Sequence, residues 1–456
     1  MLAIAILLVV IGLIVWRLPK IDIGHSDAFI QRRWINWFPL GMTYAFLYMG
    51  RYNLAAAKDV GVLTQEQYGD IFGWGALTYG LAFLINGPLT DRYGGRVSIL
   101  AAAAGSTVCN AAMGVAMTQM AGDPQLPTVM SGLYAANMYF QSFGAVSVVK
   151  VNSAWFHVRE RGVFGGLFGV LISLGIFFAF DVGLKIAENM AIGFLFWIPA
   201  AILGAFVVID GLLVQANPSG AGFEDFDTGD ASSGEDDTPD PLLTVVKRMV
   251  TNPVLVTIAL IEFCSGFLRN AIMHWYRDFA KGMSLTDGNF IYENWGLMLC
   301  LAGIFGGMFA GVISDYLFQS RRGPVAAVLY GVMVVGAILI WPLLNIPSSV
   351  GFVAIVMSMS VIGVHGMLSG TASADFGGKK NAGVAVGLID ACVYLGTTVQ
   401  SFLLGRVLPE KGTAEAADIA NWEMWPMAML PMAVVGLILS ITVWNAKPKG
   451  QAAEAP

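Results

Sequence analysis

The chain has 456 residues, 56% of them hydrophobic and only 12% charged, with a mean hydropathy of +0.68. Soluble globular domains carry about 25% charged residues, so the composition excludes that class and points to a polytopic α-helical membrane protein. The net charge of -6 is local, because Glu224, Asp225, Asp227, Asp230, Glu235, Asp236, Asp237 and Asp240 outweigh it and leave the remainder slightly basic.

An apolar run over 2–16 comes first. It is short for a span, lacks the basic start and small-residue cleavage site of a signal peptide, and is followed by Arg17 and Lys20. An uncleaved hydrophobic helix within a segment 1–30 is therefore expected. Apolar runs of spanning length follow near 36–57, 69–89, 97–118, 127–152, 162–184 and 191–214, predicting a six-helix unit over 31–216. An acidic linker over 217–250 separates these from runs near 252–278, 293–314, 323–343, 348–370, 382–405 and 424–445, a second unit over 251–446. A tail, 447–456, ends the chain.

Assigning alternate loops to two faces puts 16 Lys and Arg on the face of the linker and C-terminus and six on the other: Lys58, Lys185, Arg277, Lys281, Arg406 and Lys411. The positive-inside rule makes the first face cytoplasmic. Arg51, Lys150 and Arg269 remain inside spans. Cys109, Cys264, Cys300 and Cys392 lie in apolar runs without paired spacing, so neither a disulfide nor a metal site is predicted. No P-loop and no nucleophile–base pair emerges, which disfavours ATP-driven transport and an enzyme. No cofactor and no nucleic-acid partner is expected, and the chain reads as a monomer in the bilayer.

Two marks repeat between the halves. Gly87-x3-Asp91-Arg92-Tyr93-Gly94-Gly95-Arg96 after the second span is answered by Gly311-x3-Asp315 and Arg321-Arg322, with the aspartates 224 residues apart. Arg51 and Arg269 are 218 apart. Near-equal offsets indicate a transporter built from two related halves.

The G-x3-D-R-x-G-G-R pattern resembles the signature loop of the major facilitator superfamily. The chain is further similar to its organophosphate:phosphate antiporters, the glycerol-3-phosphate and hexose-phosphate transporter family. That resemblance runs from about residue 31 to 405, through Arg32-Arg33-Trp34, Tyr44, Arg51-x-Asn53, Tyr79-Gly80, Phe140-Gln141, Trp155-Phe156, Arg159-Glu160-Arg161-Gly162, Phe267-Leu268-Arg269, Trp275, Ala302-Gly303-Ile304, Ser314-Asp315, Lys379-Lys380-x-Ala382-Gly383, Gly387 and Tyr394-Leu395-Gly396. Departures lie where the family carries basic groups: Tyr52 follows the first arginine, Phe83 stands for a lysine and Ile172 for a histidine, while Ala145-Val146-Ser147 replaces Trp-Pro-Pro. The resemblance implies an all-α major facilitator fold, two six-helix bundles with pseudo-two-fold symmetry plus the extra N-terminal helix. It also implies alternating access and exchange of a phosphate ester for inorganic phosphate in a bacterial cytoplasmic membrane. A sugar-phosphate sensor and a proton-coupled carrier of a carboxylate or other non-phosphate anion are the alternatives.

An arginine at bilayer depth costs about 2.5–3.5 kcal/mol, and a guanidinium fork matches phosphate or carboxylate oxygens. Arg51 and Arg269 are therefore expected to bind the anionic head, with pairing to an internal carboxylate as the bland alternative. Gln141, Tyr44, Tyr79, Tyr394, Asp390 and His274 are expected to line the same cavity, the neutral groups bonding a hydroxylated organic moiety. Glu262, about 10 Å of helix rise before Arg269, and His365 are coupling candidates, against a packing role for each. Gly87, Asp91, Arg92, Gly95, Arg96, Arg159, Arg161 and Asp315 are expected to gate the cytoplasmic side, Asp91 by accepting hydrogen bonds from a helix N-terminus.

Overall fold

The computed structural model describes residues 24–228, 246–247, 250–286, 288–318, 321–368 and 382–445. The expected helix over 2–16, most of the acidic linker, Lys379, Lys380 and the tail lie outside them, as do the side chains of Arg159, Arg161 and Asp315.

Among the described residues, twelve long helices fall on the twelve predicted runs. In the first half they are α1 Asp27–Tyr52, α2 Gln65–Tyr93, α3 Gly95–Gln119, α4 Leu126–Trp155, α5 Val158–Phe177 and α6 Phe194–Leu213. The second half holds α7 Pro253–Met273, α8 Trp295–Val312, α9 Arg322–Leu343, α10 Pro347–His365, α11 Ala382–Val407 and α12 Met424–Thr442. Local chemistry sets several starts. The Ser26 hydroxyl accepts from the Phe29 amide, Thr64 and Gln67 form a capping box, and Asn252 caps α7 with Pro253 next to it. Gly94, at φ 84°, makes the turn from α2 to α3. Eight helices of the described residues are long and apolar enough to cross a membrane. The other four, α1, α2, α4 and α8, are shorter in their apolar stretch or carry much of the polar chemistry described below.

Helices α1–α6 pack among themselves, as do α7–α12, and two seams join the groups: α2 against α11, and α5 against α8. The repeat relates α2 to α8 and α5 to α11, so the seams are pseudo-symmetric partners. Along the first seam Gly69 meets the Ser401 carbonyl and the Gly405 backbone, Gly80 meets Ala391 and Tyr394, and Gly387 meets Phe83. At Gly87 the contact has ended, with nothing within 4 Å of where a Cβ would stand. Along the second seam Gly303 faces Ser173 and Gly296 faces Asp181. Both α5 and α8 run on into one π-helical turn, Phe178–Val182 and Ile313–Leu317. The first of these turns carries Asp181.

One face of the molecule bears residues 24–26, the described start of the linker and residues 443–445; it is termed here the terminal face. The opposite face is closed by loops from both halves, including the helices Leu54–Asp59 and Tyr276–Gly282.

Candidate functional site

Arg51 is fully buried near the C-terminal end of α1. Its Nε donates to Gln141 Oε1 at 2.9 Å, Nη2 to the Tyr79 hydroxyl at 2.9 Å and Nη1 to the Tyr394 hydroxyl at 2.8 Å. The last bond crosses between the halves. The guanidinium carbon also lies 4.3 Å from the Tyr79 ring centre and 4.5 Å from that of Tyr48. Hydrogen bonds to a charged group contribute about 1.5–3 kcal/mol each, so three of them offset the cost of placing this cation in the protein interior. The Tyr134 hydroxyl donates to the Arg51 carbonyl at 2.8 Å and fixes the backbone behind it.

Arg269 differs. It lies on α7 at 8% exposure, and its Nε and Nη2 are buried without a hydrogen-bond partner among the described residues. Tyr48, Tyr52 and Tyr394 stand within electrostatic reach of both arginines, which places the two guanidinium groups on one aromatic cluster. An unpartnered buried donor costs about 1–3 kcal/mol, more when charged. The arrangement is thus one satisfied arginine and one with open donors, on opposite halves of the protein.

Of the other residues expected at this cavity, Gln141, Tyr79 and Tyr394 bond Arg51 directly. Tyr44 is buried one turn before Tyr48, ring centres 5.3 Å apart, and packs on Gly144. Asp390 is half-buried one turn before Tyr394 and within electrostatic reach of Tyr79. His274 lies deeper toward the opposite face: its ring bonds the Tyr68 hydroxyl at 2.6 Å and Asn270 at 3.1 Å, among Tyr52, Phe72 and Phe180. Glu262 and His365 meet directly, Oε2 to Nδ1 at 2.9 Å, between α7 and α10.

The expected gating residues sit on the terminal face. Asp91 is exposed and pairs at 2.8 Å with Lys150 of its own half. Arg96 donates to the Gly211 carbonyl, while Arg92 lies 5.5 Å from the Tyr93 ring centre. Gly95 is buried where α3 crosses α4, so close that a Cβ would press on the Ser147 carbonyl. In this conformation none of these contacts among the described residues crosses between the halves.

The opposite face carries a charge network that crosses repeatedly. Lys58, fully buried, pairs with Asp278 and donates to the His274 carbonyl. Arg277 reaches Asp181 at 2.7 Å, Asp59 at 3.4 Å and the Phe180 carbonyl at 2.8 Å. Asp181 also accepts from the Gly296 and Leu297 amides at 2.7 and 2.8 Å, so a carboxylate of the first half caps the N-terminus of α8 in the second. Arg406 bonds Asp70 at 2.7 Å, and the Gln65 amide donates to Glu410 at 2.8 Å. Burial holds the Lys411 ammonium below its usual range, opposed by Asp278 and Asp59. The two halves are therefore bonded together on this side, and the face is sealed.

In the sequence Lys58, Arg277 and Lys411 stand out only as loop charges. Their carboxylate partners Asp59, Asp181 and Asp278 went unremarked, although Asp181 is an acid inside an apolar run, as rare a signal as Glu262. Tyr48 was missed too, despite standing three residues before Arg51 and midway in the Tyr44, Tyr48, Tyr52 ladder.

A family model described as the Major Facilitator Superfamily matches residues 40–401. The chain is 25% identical to the membrane sensor protein UhpC of Salmonella typhimurium, over 96% of this chain and 98% of that one. It is also 25% identical to the glycerol-3-phosphate transporter of Bacillus subtilis, over 94% and 96% respectively. The crystal structure of a bacterial homolog of the human lysosomal transporter Spinster, inward-facing and unoccupied, superposes with a TM-score of 0.64 at 13% identity, covering 92% of this chain and 97% of that one. The UhpC and glycerol-3-phosphate transporter relatives match the organophosphate:phosphate antiporter resemblance carried by the sequence motifs, and the Spinster homolog matches the fold.

Proposed function

The chain belongs to the major facilitator superfamily, and from that membership we propose that it carries a small organic anion, a phosphate ester, across a bacterial cytoplasmic membrane in exchange for inorganic phosphate. The terminal face, with its excess of Lys and Arg, is the cytoplasmic one. One observation carries the reading: Arg269 keeps two buried guanidinium donors unpartnered beside an arginine whose own donors are taken. A phosphate head supplies the missing acceptors. Tyr79, Tyr394 and Gln141 release or share Arg51 as the anion settles between the halves, and Asp390 receives the hydroxyls of the organic part. The likeness to a glycerol-3-phosphate transporter supports the substrate class.

Alternating access then requires the sealed face to open while the terminal face closes around the same site. The test is counterflow of labelled phosphate in proteoliposomes, with glycerol-3-phosphate, glucose-6-phosphate and dicarboxylates as unlabelled partners. Phosphate exchange that is lost in Arg269→Lys, with folded protein retained, is the expected result, because an ammonium cannot reproduce the fork. Near-normal exchange by that variant overturns the assignment. Binding without exchange in the native chain identifies a sensor instead.

A further inference from the structure

The Glu262–His365 contact is not absorbed by anion binding alone. Glu262 is fully buried on α7, with Oε2 on His365 Nδ1 at 2.9 Å and Oε1 unpartnered, whereas the His365 side chain retains 25% exposure. The pair thus joins a group in the protein interior to one that is partly exposed. Two helical turns, about 10 Å, separate Glu262 from Arg269 on one face of α7. The other titratable groups facing Glu262 are neutral in their ordinary state: Cys264 on the same helix, Tyr330 from α9 and Cys392 from α11. From α10 comes only His365; α12 offers no titratable side chain, and Asp390 lies two residues before Cys392. Arg269 is the charge on the anion's side of the pair, and Arg322, whose Nη1 donates to Ser314, stands at the start of α9, which packs on α10.

Resting on the reading of Arg269 as an anion site, we propose that Glu262 and His365 form a proton-binding site that takes up a proton when an anion docks at Arg269, so that anion and proton move together. Without the proton the pair is a carboxylate beside a neutral imidazole, net charge -1. One added proton, held by either partner, brings the pair to zero. An open Arg269 favours the charged pair, and an anion on Arg269 cancels that preference. At about 10 Å and an effective dielectric near 20, the coupling amounts to roughly tenfold in proton affinity per anion charge. His365 is the route by which the proton reaches Glu262 from solvent.

The experiment is calorimetric titration of the purified full chain with inorganic phosphate, between pH 5.5 and 8.5, in paired buffers of different ionisation enthalpy. Native protein and Glu262→Gln are compared, so that phosphate's own ionisation cancels. The native chain should take up a larger share of a proton per phosphate bound, and its affinity should fall about tenfold further across the range than that of the variant. His365→Gln should show the same loss of proton uptake. Equal proton uptake by native and Glu262→Gln protein, both binding phosphate, refutes this inference and leaves the transport reading standing. Absence of phosphate binding in the native chain refutes both.

Discussion

Replacing Asp181 by Asn attacks the seal of the opposite face at its most connected carboxylate. Asp181 accepts the Arg277 guanidinium at 2.7 Å and two backbone amides of α8 at 2.7 and 2.8 Å, and it is nearly inaccessible to solvent. An asparagine of the same shape retains one acceptor oxygen and turns an amide N–H2 toward a donor. The ion pair goes, and one charge-assisted hydrogen bond goes with it. Buried bonds to charged groups contribute about 1.5–3 kcal/mol each, so a loss of about 3 kcal/mol falls on the sealed conformation alone, because the contacts cross between halves that separate on opening. That shifts the sealed-to-open ratio by roughly 150-fold, since 1.4 kcal/mol corresponds to tenfold. Spin labels on Val62→Cys and Ile346→Cys, exposed positions of the first and second half, read the outcome as a distance distribution. The native cysteines are buried or half-buried, which favours labelling at the introduced sites. The native chain should give mainly the shorter distance and Asp181→Asn a substantial longer population. An unchanged distribution in a monodisperse Asp181→Asn protein would show that the carboxylate does not hold the face shut.

Two further outcomes follow from the same geometry. Gly266 on α7 approaches α11 so closely that a Cβ would run into the Val393 carbonyl, and backbone cannot swing aside; Gly266→Ala should destabilise the second half by about 1–3 kcal/mol, read as a lower melting temperature, whereas Gly87→Ala, with open space around it, should leave it unchanged. Lys411 is held below its usual range in the sealed state and regains it when exposed, so the open state binds more protons at pH values between the depressed and the ordinary value. Raising pH through that window therefore favours sealing, and the spin-label distances should shorten from neutral pH toward 10 in the native chain but not in Lys411→Met.

The helices were legible because lipid demands long apolar runs, and the runs are punctuated by Gly94, Ser26, Thr64 and Asn252 in positions that local rules recognise. The arginine pair was legible because charge at bilayer depth is rare and because the repeat maps one arginine near the other. What stayed hidden was partnership. Lys58 and Asp278 are 220 residues apart and Arg277 and Asp181 are 96 apart, so no spacing rule joins them. The same four residues read singly as loop charges or went unread, and only the meeting of the two halves turns them into a seal. His274 shows the same on a smaller scale: its ring bonds the Tyr68 hydroxyl, 206 residues away in the chain, as well as Asn270 one turn before it.

The α2–α11 seam works like a bearing. From Gly69 to Phe83, about 21 Å of helix, it is made chiefly of backbone and aromatic rings against glycines. Such a surface resists pulling apart yet has few directional bonds to break as one helix rolls over the other. The fasteners are concentrated in the charged layer at one end of it, where Arg406 of α11 meets Asp70 of α2. Glycines thus lay down the track of the motion while the lysine, arginine and aspartate latch sets how long each end stays shut, so that speed and path are free to be tuned by different residues.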